Sequence, residues 1–110
     1  MMVNTKIAHG VEILAADDFI GLPIKVAGTG KMLAGTPLKA DGTKIADGTG
    51  AAGILLYDVD TAVNPNGTIV VHGVIDQTKA EAHAGVTYNV SALKTAVPGV
   101  VLRNNIGVNA

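Results

Sequence analysis

Turn chemistry recurs at short intervals along this chain and holds every extended or helical piece to a few residues. Gly28-Thr29-Gly30, Asp41-Gly42, Asp47-Gly48 and Asn64-Pro65-Asn66-Gly67 are turn signals. Asp and Asn can hydrogen-bond their own backbone two residues on, and Gly accepts positive φ. Between these turns lie short apolar runs rich in β-branched residues. Residues 22–28 (LPIKVAG) predict a strand ending at Gly28, and Thr36-Pro37-Leu38-Lys39 is extended because Pro pushes its predecessor out of the helical region. Thr43–Ala46 is a short strand. Residues 51–60 (AAGILLYDVD) are the clearest buried strand, and residues 68–76 (TIVVHGVID) have the composition a pleated, half-buried surface prefers. These last two runs are expected to pair like a hairpin. The apolar residues of 22–27 and 51–57 are expected to form the core.

Helix signals are few. Thr78 and Glu81 stand at capping-box spacing, and Gly85 is a natural left-handed stop. A second short helix is expected from Ser91 until Pro98 ends it, followed by a last strand over 99–105. The expected fold is therefore all-β or β-rich α+β: a small barrel-like or sandwich-like domain with one or two short helices and an extended N-terminal arm. The arm is assigned to residues 1–20. Val3, Thr5, Ile7, Val11 and Ile13 alternate with polar positions there, broken at His9-Gly10. Residues 21–110 are assigned to the domain.

Composition narrows the function. The 110 residues carry 8 basic and 9 acidic side chains, for a formal net charge of −1. A broad nucleic-acid footprint needs a surplus of Lys and Arg on one face. The chain has no Cys, which removes disulfides, thiolate metal sites and thiol nucleophiles. No apolar stretch approaches the roughly 20 residues a spanning helix needs. The first ten residues lack an apolar core of signal-peptide length, so synthesis in the cytoplasm without a leader is expected. With charged residues at 15%, the Ala/Val/Gly-rich surface suits a chain covered by partners.

No chemical motif survives inspection. Gly28-Thr29-Gly30-Lys31 misses the phosphate-loop spacing, which wants Gly at Lys25 and Ser or Thr at Met32. Asp58 and Asp60 lack the further oxygens and terminal Glu of a calcium loop. His9, His72 and His83 show no metal-ligand spacing, and Ser91, the sole Ser, does not sit in a nucleophile elbow. No catalytic, cofactor-binding or metal-ligating residue is assigned, and no cofactor is expected.

The stretch AGTPLKADGTKIADGTGAAGILLYDVD (34–60) resembles the core pattern of lambda-type phage head decoration proteins, which stabilise capsids. The matching positions are Gly35, Thr36, Pro37, Leu38, Asp47, Gly48, Thr49, Ala51, Ala52, Gly53, Ile54 and Leu55. Residues 68–76 are similar to the family's following strand. The likeness spans about residues 30–85 and does not extend to the N-terminal arm or the C-terminal part. It implies a non-enzymatic homotrimer on the outer surface of the virion capsid. Such a trimer binds the major capsid protein, touches neither nucleic acid nor membrane, and cements capsomers against the pressure of packaged DNA. On that basis the capsid-contact arm is placed at Thr5–Leu14, with Thr5, Ile7, Val11, Ile13 and Leu14 as contacts. A capsid-bound base of a head fibre is one rival reading. A small β-barrel ligand-binding protein or enzyme subunit is another, and it would need a pocket with converging polar groups.

Overall fold

The computed structural model describes residues 13–103. In chain order the elements are β1 (Leu14–Lys25), β2 (Lys31–Met32), β3 (Pro37–Leu38), β4 (Gly53–Leu55), β5 (Val59–Asp60), β6 (Asn66–Asp76), α1 (Gln77–Ala84), α2 (Val90–Ala96) and β7 (Val100–Arg103). The fold is β-rich α+β. Its main sheet runs β1-β6-β4-β3, with β7 also paired to β6, and β2 and β5 form a separate small ladder. The main sheet is mostly antiparallel and does not close into a barrel.

The hub is β6. Along one edge it pairs antiparallel with β1, from Leu14↔Ile75 to Lys25↔Asn66. Its other edge is shared. The first half takes β4 through Ile54↔Val70 and Leu55↔Ile69, and the second half takes β7 in parallel through Gly73↔Val100 to Asp76↔Arg103. Both faces of β6 are also buried in part. Val70 and Ile75 enter the larger cluster with Ile13, Ile54, Ala80, Leu93 and Val100, whereas Ile69 enters a smaller one with Val26, Leu38, Leu55 and Val59.

Strict alternation cannot send positions 70 and 75 to the same face, because side chains repeat every second residue. A bulge resolves the conflict. Ile20 pairs with His72 while Gly21 pairs with Val70, so Val71 is one residue in excess on β6 and the parity resets. Gly73, at φ 148, lies two residues further on.

The helices close the larger cluster. Asp76 caps α1, accepting a hydrogen bond from the Lys79 N–H at 3.1 Å, and Gly85 ends the helix at φ 72. Ala80 and Ala84 face inward, and small side chains let α1 approach closely. A Cβ at Gly35 would stand 2.5 Å from the Ala80 carbonyl oxygen. Asn89 caps α2, which begins at Val90, one residue before the expected start at Ser91, and Leu93 is its fully buried residue. The 51–60 run is not one strand. After Leu56 the chain bends at Tyr57, so β4 stays in the main sheet while β5 pairs with β2. Thr43–Ala46 contributes only a single bridge, Leu38↔Lys44.

No break separates residues 13–20 from the domain, because β1 runs through the expected boundary at 20/21. Leu22, placed in the core by its run, is 48% exposed; Val26 is buried and Ile24 half-buried. Ile54 lies at the crossing of β3, β4 and β6 with no exposed surface. Ile54→Ala is expected to lower unfolding free energy by about 2–5 kcal/mol. Val63→Ala, at a site 82% exposed, should change it by less than about 0.5 kcal/mol. Equilibrium urea unfolding of both variants checks the contrast.

Candidate functional site

The inner edge of β1 is hydrogen-bonded to β6, but its outer edge meets no other strand among the described residues. An open edge presents N–H and C=O groups that another chain can pair with. Pro23 fits this placement, since a residue without an N–H is tolerated at an edge. The strand is 12 residues long but irregular. Between Leu14↔Ile75 and Phe19↔Gly73 it advances five residues while β6 advances two. That interruption leaves Phe19–Lys25 as the longer paired stretch, with the β6 bulge opposite Ile20 and Gly21.

On this stretch Ile20 and Leu22 lie on one face at 54% and 48% exposure, and Phe19 lies on the other at 39%. Register extends the first face across the sheet. His72 pairs with Ile20, and Val74, two residues on, pairs with Val101 of β7, itself 47% exposed. The smaller cluster covers this face only at the end near Ile24 and Ile69. Ile20, Leu22, His72, Val74 and Val101 form the rest, with no covering layer among the described residues. An open edge flanked by apolar side chains offers a partner both main-chain hydrogen bonds and area to bury.

The expected contact residues divide. Thr5, Ile7 and Val11 lie outside the described residues. Ile13 is fully buried in the domain's own larger cluster, and its carbonyl accepts from the Asp76 N–H at 2.8 Å. Leu14 is half-buried against the same cluster. Both residues pack with the domain's own core. The sequence reading missed the exposed trio Phe19, Ile20 and Leu22. Its available signal was Pro23, which marks an edge strand.

Polar groups cluster where α1 meets the turn at 33–36. Asp58 Oδ1 accepts from the Ala34 N–H at 2.8 Å and lies 2.8 Å from His83 Nε2. The Tyr88 hydroxyl donates to the Gly35 carbonyl at 2.6 Å, and its N–H donates to Glu81 Oε2 at 2.8 Å. Glu81 Oε2 also accepts from Gln77 Nε2 at 3.3 Å, so it ties the loop after α1 to the helix's first turn, and the cap of α1 is Asp76. These bonds fasten α1 to the sheet. His72 sits apart from His83, on the open face, and His9 lies outside the described residues.

A cleft of about 480 Å³ is lined by Tyr57, Asp60, Val63, Asn64, Asn66 and Thr68, among others. Asp60 Oδ1 and Asn64 Oδ1 are already engaged by the N–H groups of Ala62 and Asn66. Gly28 and Gly30 form an exposed turn at φ 96 and 97. Among the described residues no three His, Cys, Asp or Glu side chains group to hold a metal, and no helix is long and apolar enough to cross a membrane. Compared with known proteins, the chain matches no family model, no curated protein and no solved structure.

Burial, and then the charge of Glu81, raise the Tyr88 phenol above the usual tyrosine range. The unfolded chain therefore gives up this proton first. Its contribution to stability is complete below a pH of about 10 and is lost as the pH rises beyond it. Tyr88→Phe is expected to cost about 1–3 kcal/mol at neutral pH, because the Gly35 carbonyl loses its phenol donor. The variant should also show a smaller alkaline loss of stability than the parent. Urea unfolding at neutral and alkaline pH measures both effects.

Proposed function

We propose that this chain is a structural protein of a phage head, of the lambda-type decoration class. It binds the outside of the expanded head as trimers and cements neighbouring capsomers. The observation that carries this reading is the open β1 edge beside the apolar face of Ile20 and Leu22. A strand of the major capsid protein can add to such an edge through main-chain hydrogen bonds, and alternate side chains fill the apolar face. Three linked copies multiply a modest single-site affinity by about 10² to 10⁴. Selective binding to the expanded shell stabilises that state by mass action. The motif likeness over 34–60 supports the same reading. So does the low charge density, since a weakly charged surface loses little solvation when covered.

The cleft lined by Tyr57 and Asp60 favours one other reading, a small-ligand-binding protein. A ligand seated there, with no affinity for any shell, would select it.

Binding to emptied, expanded heads of the virus encoding this chain tests the proposal. The protein should occupy them saturably and raise their rupture temperature. The double variant Ile20→Asp/Leu22→Asp should remain folded by circular dichroism and bind at least about ten-fold more weakly, as loss of two buried anchors requires. Absence of binding by the parent protein would sink the proposal. Removing residues 1–12 keeps the core residue Ile13 and tests Thr5, Ile7 and Val11 separately. Occupancy should fall, and unchanged occupancy would exclude these three as contacts.

A further inference from the structure

Charge is unevenly placed along the chain. Residues 21–46 hold Lys25, Lys31, Lys39 and Lys44 against one acid, Asp41, a formal +3. Elsewhere four basic residues face eight acidic ones, a formal −4.

The fold draws the basic segment to one end. The Lys39 N–H donates to the Thr43 carbonyl at 2.8 Å and the Gly42 N–H to the Lys39 carbonyl at 2.9 Å, closing a tight hairpin with Lys39 and Lys44 on its arms. The Ala27 N–H donates to the Gly42 carbonyl at 3.0 Å, so the hairpin docks on the end of β1. Gly42 has φ 87, and its α-carbon lies so near the Lys25 carbonyl that a Cβ would overlap it. The hairpin tip is thereby held beside Lys25. Lys31 opens β2 on the neighbouring loop, opposite Asp60.

All four lysines are exposed, and none forms an ion pair among the described residues. Asp41 offsets part of their field. Its carboxylate is occupied by the Thr43 hydroxyl at 2.6 Å and the Thr43 N–H at 3.1 Å.

We propose that this hairpin end, with Lys25, Lys39 and Lys44 at its centre and Lys31 beside them, is a docking surface for an acidic protein segment. Unpaired lysines on a chain of net negative charge raise the local concentration of anions and orient their approach. The segment contains no Arg and no aromatic residue. It therefore lacks the rings on which bases stack, and its lysines act on an anion as point charges. Carboxylates on a protein partner need only the point charges that lysines supply. The inference rests on the charge map alone and stands or falls apart from the decoration reading.

The test uses the full chain and a fluorescein-labelled oligoglutamate peptide, followed by anisotropy. A 20-base-pair DNA duplex serves as the competing anion. The peptide is expected to bind at low salt and to weaken by about ten-fold or more near physiological ionic strength, where the screening length is about 8 Å. The exposed-site variant Lys25→Gln/Lys39→Gln/Lys44→Gln should lose binding by a similar factor, and Lys79→Gln/Lys94→Gln should not. On the parent protein, peptide-induced amide shifts should concentrate at 25–31 and 38–44, a readout that needs no variant. No peptide binding, shifts centred elsewhere, equal binding by the triple variant, or tighter binding of the duplex than of the peptide would each overturn the proposal.

Discussion

Strand β6 must hydrogen-bond along both edges while burying side chains on both faces, and the other elements are arranged around that demand. Two partners share one of its edges because neither β4, at three residues, nor β7, at four, can cover all eleven residues of β6. The bulge at Val71 lets Val70 and Ile75 join one cluster. Without it a continuous ladder would turn Ile75 away from α1 and α2. Gly73 and Gly99 belong to the same solution. A Cβ at Gly99 would stand 2.5 Å from the Val71 carbonyl oxygen, and one at Gly73 would stand 2.9 Å from the Phe19 Cβ. Crowding around the bulge thus demands glycine on β6 itself and at the residue just before β7.

The polar cluster completes this framework. Helix α1 is only two turns long and buries small side chains, so apolar area alone anchors it weakly. Its position is set by directional bonds: Asp76 at its start, Glu81 holding the Tyr88 N–H, and His83 against Asp58. Tyr88 closes the circuit by reaching the Gly35 carbonyl, on the turn against which Ala80 packs. Asp58 and His83 read in isolation as half of an acid–base device. Their neighbours give the pair a fastening role, since Asp58 also holds the Ala34 backbone and so fixes the turn beneath the helix.

Local chemistry was legible in the sequence, and layer coverage was not. Asp41 and Asp47 form the expected turns, with hydrogen bonds from Thr43 and Thr49 holding their carboxylates below the usual Asp range. Gly85 stops α1, Pro98 follows α2, and the 68–76 run is the heart of β6. Each of these depends on neighbours within a few residues. The misses are decided at a distance. Thr78 has the spacing of a cap, but Asp76 ends β6 where its carboxylate reaches the Lys79 N–H, so the helix begins earlier. Leu22 sits in an apolar run that also contains buried Val26. Periodicity assigns it a face without saying whether another layer covers that face. The same limit applies to closure of the sheet, which depends on whether β1 and β3 meet. The candidate site lies in this blind spot because it consists of surface left uncovered.

The apolar and basic surfaces share a physical end point. Lys25 terminates β1, and Ala27, two residues on, is bonded to the Gly42 hairpin. A strand added along Phe19–Ile24 would therefore deliver its continuing chain to Lys25, Lys39 and Lys44. Apolar contact and charge act differently on such an encounter. Charge reaches out to about a screening length and selects which end of an incoming segment arrives first. Burial of Ile20 and Leu22 acts only at contact and slows departure. A segment alternating in apolar side chains and ending in carboxylates would satisfy both surfaces in one direction along β1. Reversed, it would place its carboxylates near Asp18 and leave the lysines unpaired. The fold thereby supplies polarity to an edge that main-chain hydrogen bonding alone would leave open to either orientation.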